Sequence, residues 1–167
     1  MLKVRTFIVF VFAIIFIVGC QKEPAKTSQS ILYVPLSQQS FNLNNLDHLN
    51  KLAIILAQEH GEIKLTENTQ MVELTDKQGS FKAILARYKS GESTIKLVVP
   101  IEKDTKNKFS KNITPYVASN CVMKCISAWP CNNCTLEILD RCRMIRCTCA
   151  SASEGCSPSI TDSGDGE

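Results

Sequence analysis

Eight of the nine cysteines, Cys121, Cys125, Cys131, Cys134, Cys142, Cys147, Cys149 and Cys156, stand in one short stretch near the C-terminus, and none lies between Gln21 and Asn120. Their spacing, C-x3-C-x5-C-x2-C-x7-C-x4-C-x-C-x6-C, is compatible with three chemistries: a disulfide framework, four-thiolate zinc sites, or a redox-active pair. A segment this small rarely stabilises itself by burial alone and usually needs disulfides or metal. Eight thiols leave none over when bridged, but 105 pairings are possible and spacing does not choose among them. The compartment decides which chemistry is expected: exported chains meet an oxidising environment in which neighbouring cysteines stay bridged.

Each sharper chemistry has a local pattern to satisfy. Cys131-Asn132-Asn133-Cys134 after Trp129-Pro130 superficially resembles the Cys-x-x-Cys of thioredoxin-type proteins, but the tryptophan is displaced by one residue and no βαβ pattern precedes it. A c-type haem would require histidine directly after Cys134, where Thr135 stands. Zinc is the stronger rival, since Cys121-x3-Cys125, Cys131-x2-Cys134 and the later pairs have spacers that zinc tolerates. The stretch holds no histidine.

Export is read from the N-terminus. Lys3 and Arg5 precede an apolar run from Phe7 to Val18, which is shorter than the roughly 20 residues of a spanning helix and within the roughly 7 to 15 of a signal-peptide core. The run ends in Ile17-Val18-Gly19-Cys20, which resembles the lipobox of bacterial lipoproteins. That resemblance implies cleavage between Gly19 and Cys20, with lipidation of Cys20. Two or three acyl chains make a durable anchor, each buried methylene contributing about 0.8 kcal/mol. In that family Gln21, where Asp would favour inner-membrane retention, implies an outer-membrane address, and Lys22-Glu23 is similar to the charged tether of surface-displayed lipoproteins. The resemblance covers only the export signal and the residues just after it. It makes disulfides the expected state of all eight clustered cysteines, with no metal and no cofactor.

Other chemistry is scarce. His48 and His60 are twelve residues apart on a predicted helix and point about 120° away from each other, so they share neither a ligand nor a proton relay through it. The chain lacks G-x-S-x-G, H-E-x-x-H, G-x-G-x-x-G and G-x-x-x-x-G-K-[ST]. Glu59, Glu62, Glu67 and Glu73 fall on expected solvated faces. No catalytic residue is identified. Without residues 1–19 the chain keeps 17 basic and 16 acidic residues, a net charge of +1, which predicts no nucleic-acid binding. Lys103, Lys106, Lys108 and Lys111 are interspersed with acids and lack an aromatic ladder, so they read as a solvated linker.

These residues must be held by elements. Residues 1–19 form the signal peptide and 20–40 a lipid-anchored flexible stalk, in which Ile31 to Leu36 would add an edge strand. Residues 41–101 form a small α+β domain. Asn45 caps a helix whose apolar face is Leu46, Leu49, Leu52, Ala53 and Leu56, with His60-Gly61 as its stop. Four strands follow, around Ile63, Val72, Ala83 and Leu97, separated by turn signals at Glu67-Asn68, Asp76-Lys77-Gln78-Gly79 and Ser90-Gly91-Glu92. The helix covers the apolar face of this antiparallel meander.

Residues 102–118 are a linker, 119–156 the cysteine-rich module and 157–167 a disordered tail. Within the module Cys121, Cys125 and Trp129, and then Cys134, Ile138, Cys142, Ile145 and Cys149, fall on helical stripes. They predict a disulfide-rich helical hairpin with Trp129 as core filler and Arg141, Arg143 and Arg146 toward solvent. The expectation is a non-enzymatic envelope lipoprotein, attached to the membrane through its N-terminal lipid and displaying the stapled module to a protein or glycan partner. The alternative is an envelope thiol-redox or zinc-binding protein working through the same cysteines.

Overall fold

The computed structural model describes residues 29–34, 38–57, 62–106, 113–151 and 154–162. Gly19, Cys20, the signal peptide, His60-Gly61 and Lys108 to Lys111 lie outside the described residues. No helix among the described residues is long and apolar enough to cross a membrane.

The helix and the four strands expected between Asn45 and Ile101 form, and the last strand runs on through Glu102 and Lys103, which the pattern gave to the linker. Asn45 Oδ1 accepts the backbone N–H groups of Asp47 (2.9 Å) and His48 (3.2 Å), satisfying two orphan donors at the start of helix α1, Leu46–Ala57. The helix buries Leu49, Leu52, Ala53, Leu56 and Ala57 against the sheet, each leucine contributing about 1.5–3 kcal/mol. Leu46, expected on this apolar face, is exposed at the helix's first residue, and Ile54 is exposed as well. Strands β3 (Ile63–Leu65), β4 (Gln70–Asp76), β5 (Gly79–Ser90) and β6 (Ser93–Lys103) form the expected antiparallel array, with β3 and β4 both pairing β5. The β4–β5 and β5–β6 turns are tight, at Lys77-Gln78 and Gly91-Glu92.

The sheet does not stop there. Strand β1 (Gln29–Val34) pairs antiparallel with β2 (Gln39–Asn42) and parallel with β7 (Ile113–Ala118). Residues assigned to stalk and linker thus contribute interior strands, and Leu32 and Val34 are fully buried. Strand β8 (Cys121–Ser127) continues beyond β7 along the same edge of β6, and β11 (Cys156–Asp162) pairs outside β8. Tail residues Ser157 to Asp162 are therefore in the sheet. The offset between β7 and β8 has a chemical cause. Val98 faces Met123 and Ile101 faces Ala118, so residues 119–122 span only Val99 and Pro100. Pro100 has no N–H to continue the ladder, and its carbonyl accepts the Ser119 N–H at 2.9 Å.

The expected α+β domain with a helical hairpin is overturned. The described residues hold eleven strands and one helix, and both halves of the predicted hairpin are strands: β8, then the antiparallel pair β9 (Cys134–Asp140) and β10 (Met144–Cys149). The four-residue spacing of Cys121 and Cys125 is compatible with a helix face, but four is also even, so it places both on one face of a strand as well. The β-branched residues beside them, Val122, Ile126, Thr135, Ile138, Ile145 and Thr148, favour the strand.

The result has three layers. On one face of the main sheet α1 covers Ile84, Ala86, Tyr88, Ile95, Leu97, Val99 and Val122. On the other, the β9–β10 hairpin covers Phe81, Ala83, Val98, Cys121 and Met123. Strands β5, β6 and β8 are buried on both sides. On β8, Cys121, Met123 and Cys125 point toward the hairpin, while Val122 and Lys124 point toward the helix. Buried Lys124 donates from Nζ to the Ala57 carbonyl at 2.6 Å. A cation thus meets the negative end of a helix whose own last turn holds none.

Candidate functional site

The site is the hairpin clamped onto the sheet and the turn that leads into it. A two-stranded hairpin is marginal on its own, and of its aliphatic side chains this one buries only Ile145 well, with Leu136 and Ile138 half-buried. Covalent bonds make up the difference. All eight clustered cysteines are bridged, as Cys121–Cys142, Cys125–Cys147, Cys131–Cys149 and Cys134–Cys156. Their Cα separations of 5.7, 5.8, 5.9 and 5.9 Å are those of ordinary bridges. In chain order the first cysteine joins the fifth, the second the sixth, the third the seventh and the fourth the eighth, so every loop overlaps every other. Two bridges tie β8 to the hairpin, one ties the β8–β9 turn to the end of β10, and one ties β9 to β11.

Charge holds the far end. The β9–β10 turn, in which Cys142 adopts φ 60°, meets the β4–β5 turn through two carboxylates. Asp140, almost fully buried, accepts from Lys77 Nζ at 2.8 Å and Gln78 Nε2 at 2.6 Å. Asp76, whose side chain is fully buried, accepts the backbone N–H groups of Arg141 (2.9 Å) and Gln78 (2.8 Å), and the Arg141 guanidinium lies 3.5 Å away. That guanidinium also stacks over Phe81, 4.1 Å from the ring centre, so Arg141 is a clasp residue, whereas Arg143 and Arg146 are exposed. Burial raises the Asp76 carboxyl, but the N–H groups of Gln78 and Arg141 and the Arg141 charge outweigh it and hold it below the ordinary range. The Lys77 hydrogen bond lowers Asp140 against its own burial. Neither aspartate announced itself in the sequence beyond a turn signal at Asp76.

The sulfurs nearest β11 gather into one cluster. The Sγ atoms of Cys131, Cys149 and Cys156 all lie within 4.8 Å of one another, and Cys131 Sγ is 3.3 Å from Cys156 Sγ and 4.0 Å from Cys134 Sγ. Cys134 and Cys149 face each other across the hairpin, yet each is bonded to a different partner. The Cys131-Asn132-Asn133-Cys134 pair is likewise split between two bridges and forms no internal redox disulfide.

Above this cluster stands Trp129. The predicted core filler is 89% exposed, at the apex of the β8–β9 turn beside exposed Ala128, Pro130, Asn132 and Asn133. The turn is fixed from below. Ala128 N–H donates to the Gly155 carbonyl at 2.8 Å, and Cys131 N–H to the Ala128 carbonyl at 2.8 Å. Ser127 Oγ donates to the Cys131 carbonyl. Gly155, at φ +89°, approaches so closely that a Cβ there would sit 2.5 Å from the Ala128 oxygen and 2.9 Å from the Cys131 nitrogen, so only glycine fits. No family model, curated protein or solved structure matches this chain.

Of the two histidines only His48 is among the described residues, and it takes a structural place. His48 is half-buried, its Nδ1 accepting the Asn42 N–H at 3.1 Å and its ring edge-on to Phe41. Among the candidate carboxylates Glu67 pairs with Arg87, and Glu62 and Glu73 are exposed.

Proposed function

We propose that this chain is a cell-envelope lipoprotein, anchored by acyl groups on Cys20, whose folded body is a non-enzymatic binding module presenting Trp129 to a protein or glycan partner. The observation that carries the binding role is the fully presented tryptophan on a turn that a bridge, a close glycine contact and three hydrogen bonds hold rigid. Exposed aromatic surface costs solubility, while tryptophan is among the strongest anchors in recognition surfaces. Holding it rigid in advance removes the ordering cost of binding. Asn132 and Asn133 add neutral donors and acceptors beside the ring. Complete bridging of the cluster supports an oxidising, exported location.

Two measurements test this reading. Acyl labelling of the expressed chain, lost in Cys20→Ser, is the expected result for the anchor; a secreted, unacylated product overturns it. For the module, isolated envelope glycans and envelope proteins should retain the mature chain but not Trp129→Ala. Equal retention of the two would remove the tryptophan from the role assigned to it. The sulfur cluster favours a second reading, a thiol-redox or zinc-binding protein, because reduction would free the thiols of Cys131, Cys149 and Cys156, whose Sγ atoms lie within 4.8 Å of one another, as metal ligands. Free thiols or bound zinc in the protein isolated from the envelope would favour that reading over the first.

A further inference from the structure

Between the main sheet and the hairpin lies a half-open cleft of about 320 Å³, a size at the lower end of small-molecule sites. Its walls are Leu74, Leu85 and Val98 from the sheet and Leu136 and Ile138 from β9. Set among them is one cation, Lys96. Its neighbours make it unusual. Lys96 is directly opposite Arg87 on β5 and Cys125 on β8, and like charges placed opposite each other destabilise a sheet. Arg87 is answered by Glu67. Lys96 has no ion pair or hydrogen bond among the described residues, and the carboxylate at the cleft rim, Glu137, is paired with Arg146 at 3.4 Å. Burial first, and Arg87 second, push the Lys96 amine below its ordinary range, with Glu67 opposing them in part, as expected of an ammonium short of counter-charge. A fold that needed only packing at this position would place an apolar side chain there.

We infer that this cleft binds a small carboxylate with an apolar tail, the tail lying between sheet and hairpin and the carboxylate on Lys96. One compact ammonium suits a monovalent head group; the forked donors that match phosphate are absent from the walls, since the neighbouring guanidinium is engaged. The inference uses neither Trp129 nor Cys20, so it stands or falls apart from the function proposed above.

The probe is octanoate, titrated by calorimetry into the mature, oxidised chain beside the neutral octanol and the cationic octylamine. Octanoate should bind once per chain and octanol at least about tenfold more weakly, with no binding of octylamine. Lys96→Met, which keeps the aliphatic stem, should lose at least about tenfold in octanoate affinity and no longer prefer octanoate over octanol, while Lys96→Arg retains the preference. A second readout needs no variant: with lysines reductively ¹³C-methylated, which keeps their charge, octanoate should shift the Lys96 resonance. Equal binding of octanoate and octanol, undiminished binding by Lys96→Met, or a shift confined to other lysines would overturn the inference.

Discussion

Removing one bridge while keeping the other three tests whether the clamp acts through the unfolded chain. Take Cys134→Ala with Cys156→Ala. In isolation the Cys134–Cys156 bridge closes a loop with a sequence separation of 22, for which loop entropy gives about 3.4 kcal/mol. The overlapping pattern lowers that figure. With Cys131–Cys149 intact, the path between the two sites runs from Cys134 to Cys131, across that bridge, and on from Cys149 to Cys156. The effective loop is then roughly ten residues, for which the same relation gives about 2.7 kcal/mol. Guanidinium unfolding of the oxidised protein, followed by far-ultraviolet circular dichroism, measures the loss. The denaturant slope should rise, because a less cross-linked unfolded chain exposes more surface. A loss below about 1 kcal/mol with an unchanged slope would show that the sheet alone holds β11 in place and would refute the clamp argument.

Three further outcomes follow from the packing. Leu52→Ala, at a fully buried position of α1, should cost about 2–5 kcal/mol in the same unfolding assay. Gly155→Ala should destabilise by about 1–3 kcal/mol, since it combines a left-handed backbone with the contacts to Ala128 and Cys131; it should also alter Trp129 fluorescence, which thermal melts followed at that wavelength will report. Asp76 and Asp140 are both lowered from an ordinary value of 3.8. Their stabilisation is present above that value and disappears as pH falls through the lower folded-state values. Urea midpoints should therefore hold steady down to the ordinary carboxylate range and drop below it, and Asp140→Asn should flatten the drop.

How much of this was legible depended on whether a residue pattern had one geometric meaning. Residues 45–101 carry clear signals, Asn45 before a 3.6-residue stripe and then alternating runs cut by Gly79 and Gly91, and one helix and four strands form there, although Leu46 at the start of the stripe is exposed. The later strands lacked such signals. The first segment reads as linker from its interspersed lysines and acids and the second as tail from its scarcity of apolar residues, and Pro115 inside β7 and Pro158 inside β11 add nothing that argues for a strand. The cysteine spacings fit a helical period and in part a strand period, and only the β-branched residues among them favour the strand. Trp129 shares this ambiguity, because on a helix it would join the stripe of Cys121 and Cys125, whereas the strand ends at Ser127 and a turn carries the ring outward. The Asp76 and Asp140 clasp joins turns more than sixty residues apart in sequence, which no local pattern encodes.

The distribution of cysteines then has a physical reason. The helix side of the sheet is closed by leucines and needs no cross-links, and none of the clustered cysteines faces it. The opposite side is closed by a hairpin whose apolar contribution is small, with a charged residue, Lys96, left in the gap beneath it. A hydrophobic lid would fill that gap and carry Trp129 inward, since burial is the one force available to it. A lid held by four bridges and two buried aspartates is free of that requirement. It stays shut over an incompletely filled cleft while a bare tryptophan stands on the bridged turn that leads into it, so the covalent clamp is what permits the two features on which both proposals rest.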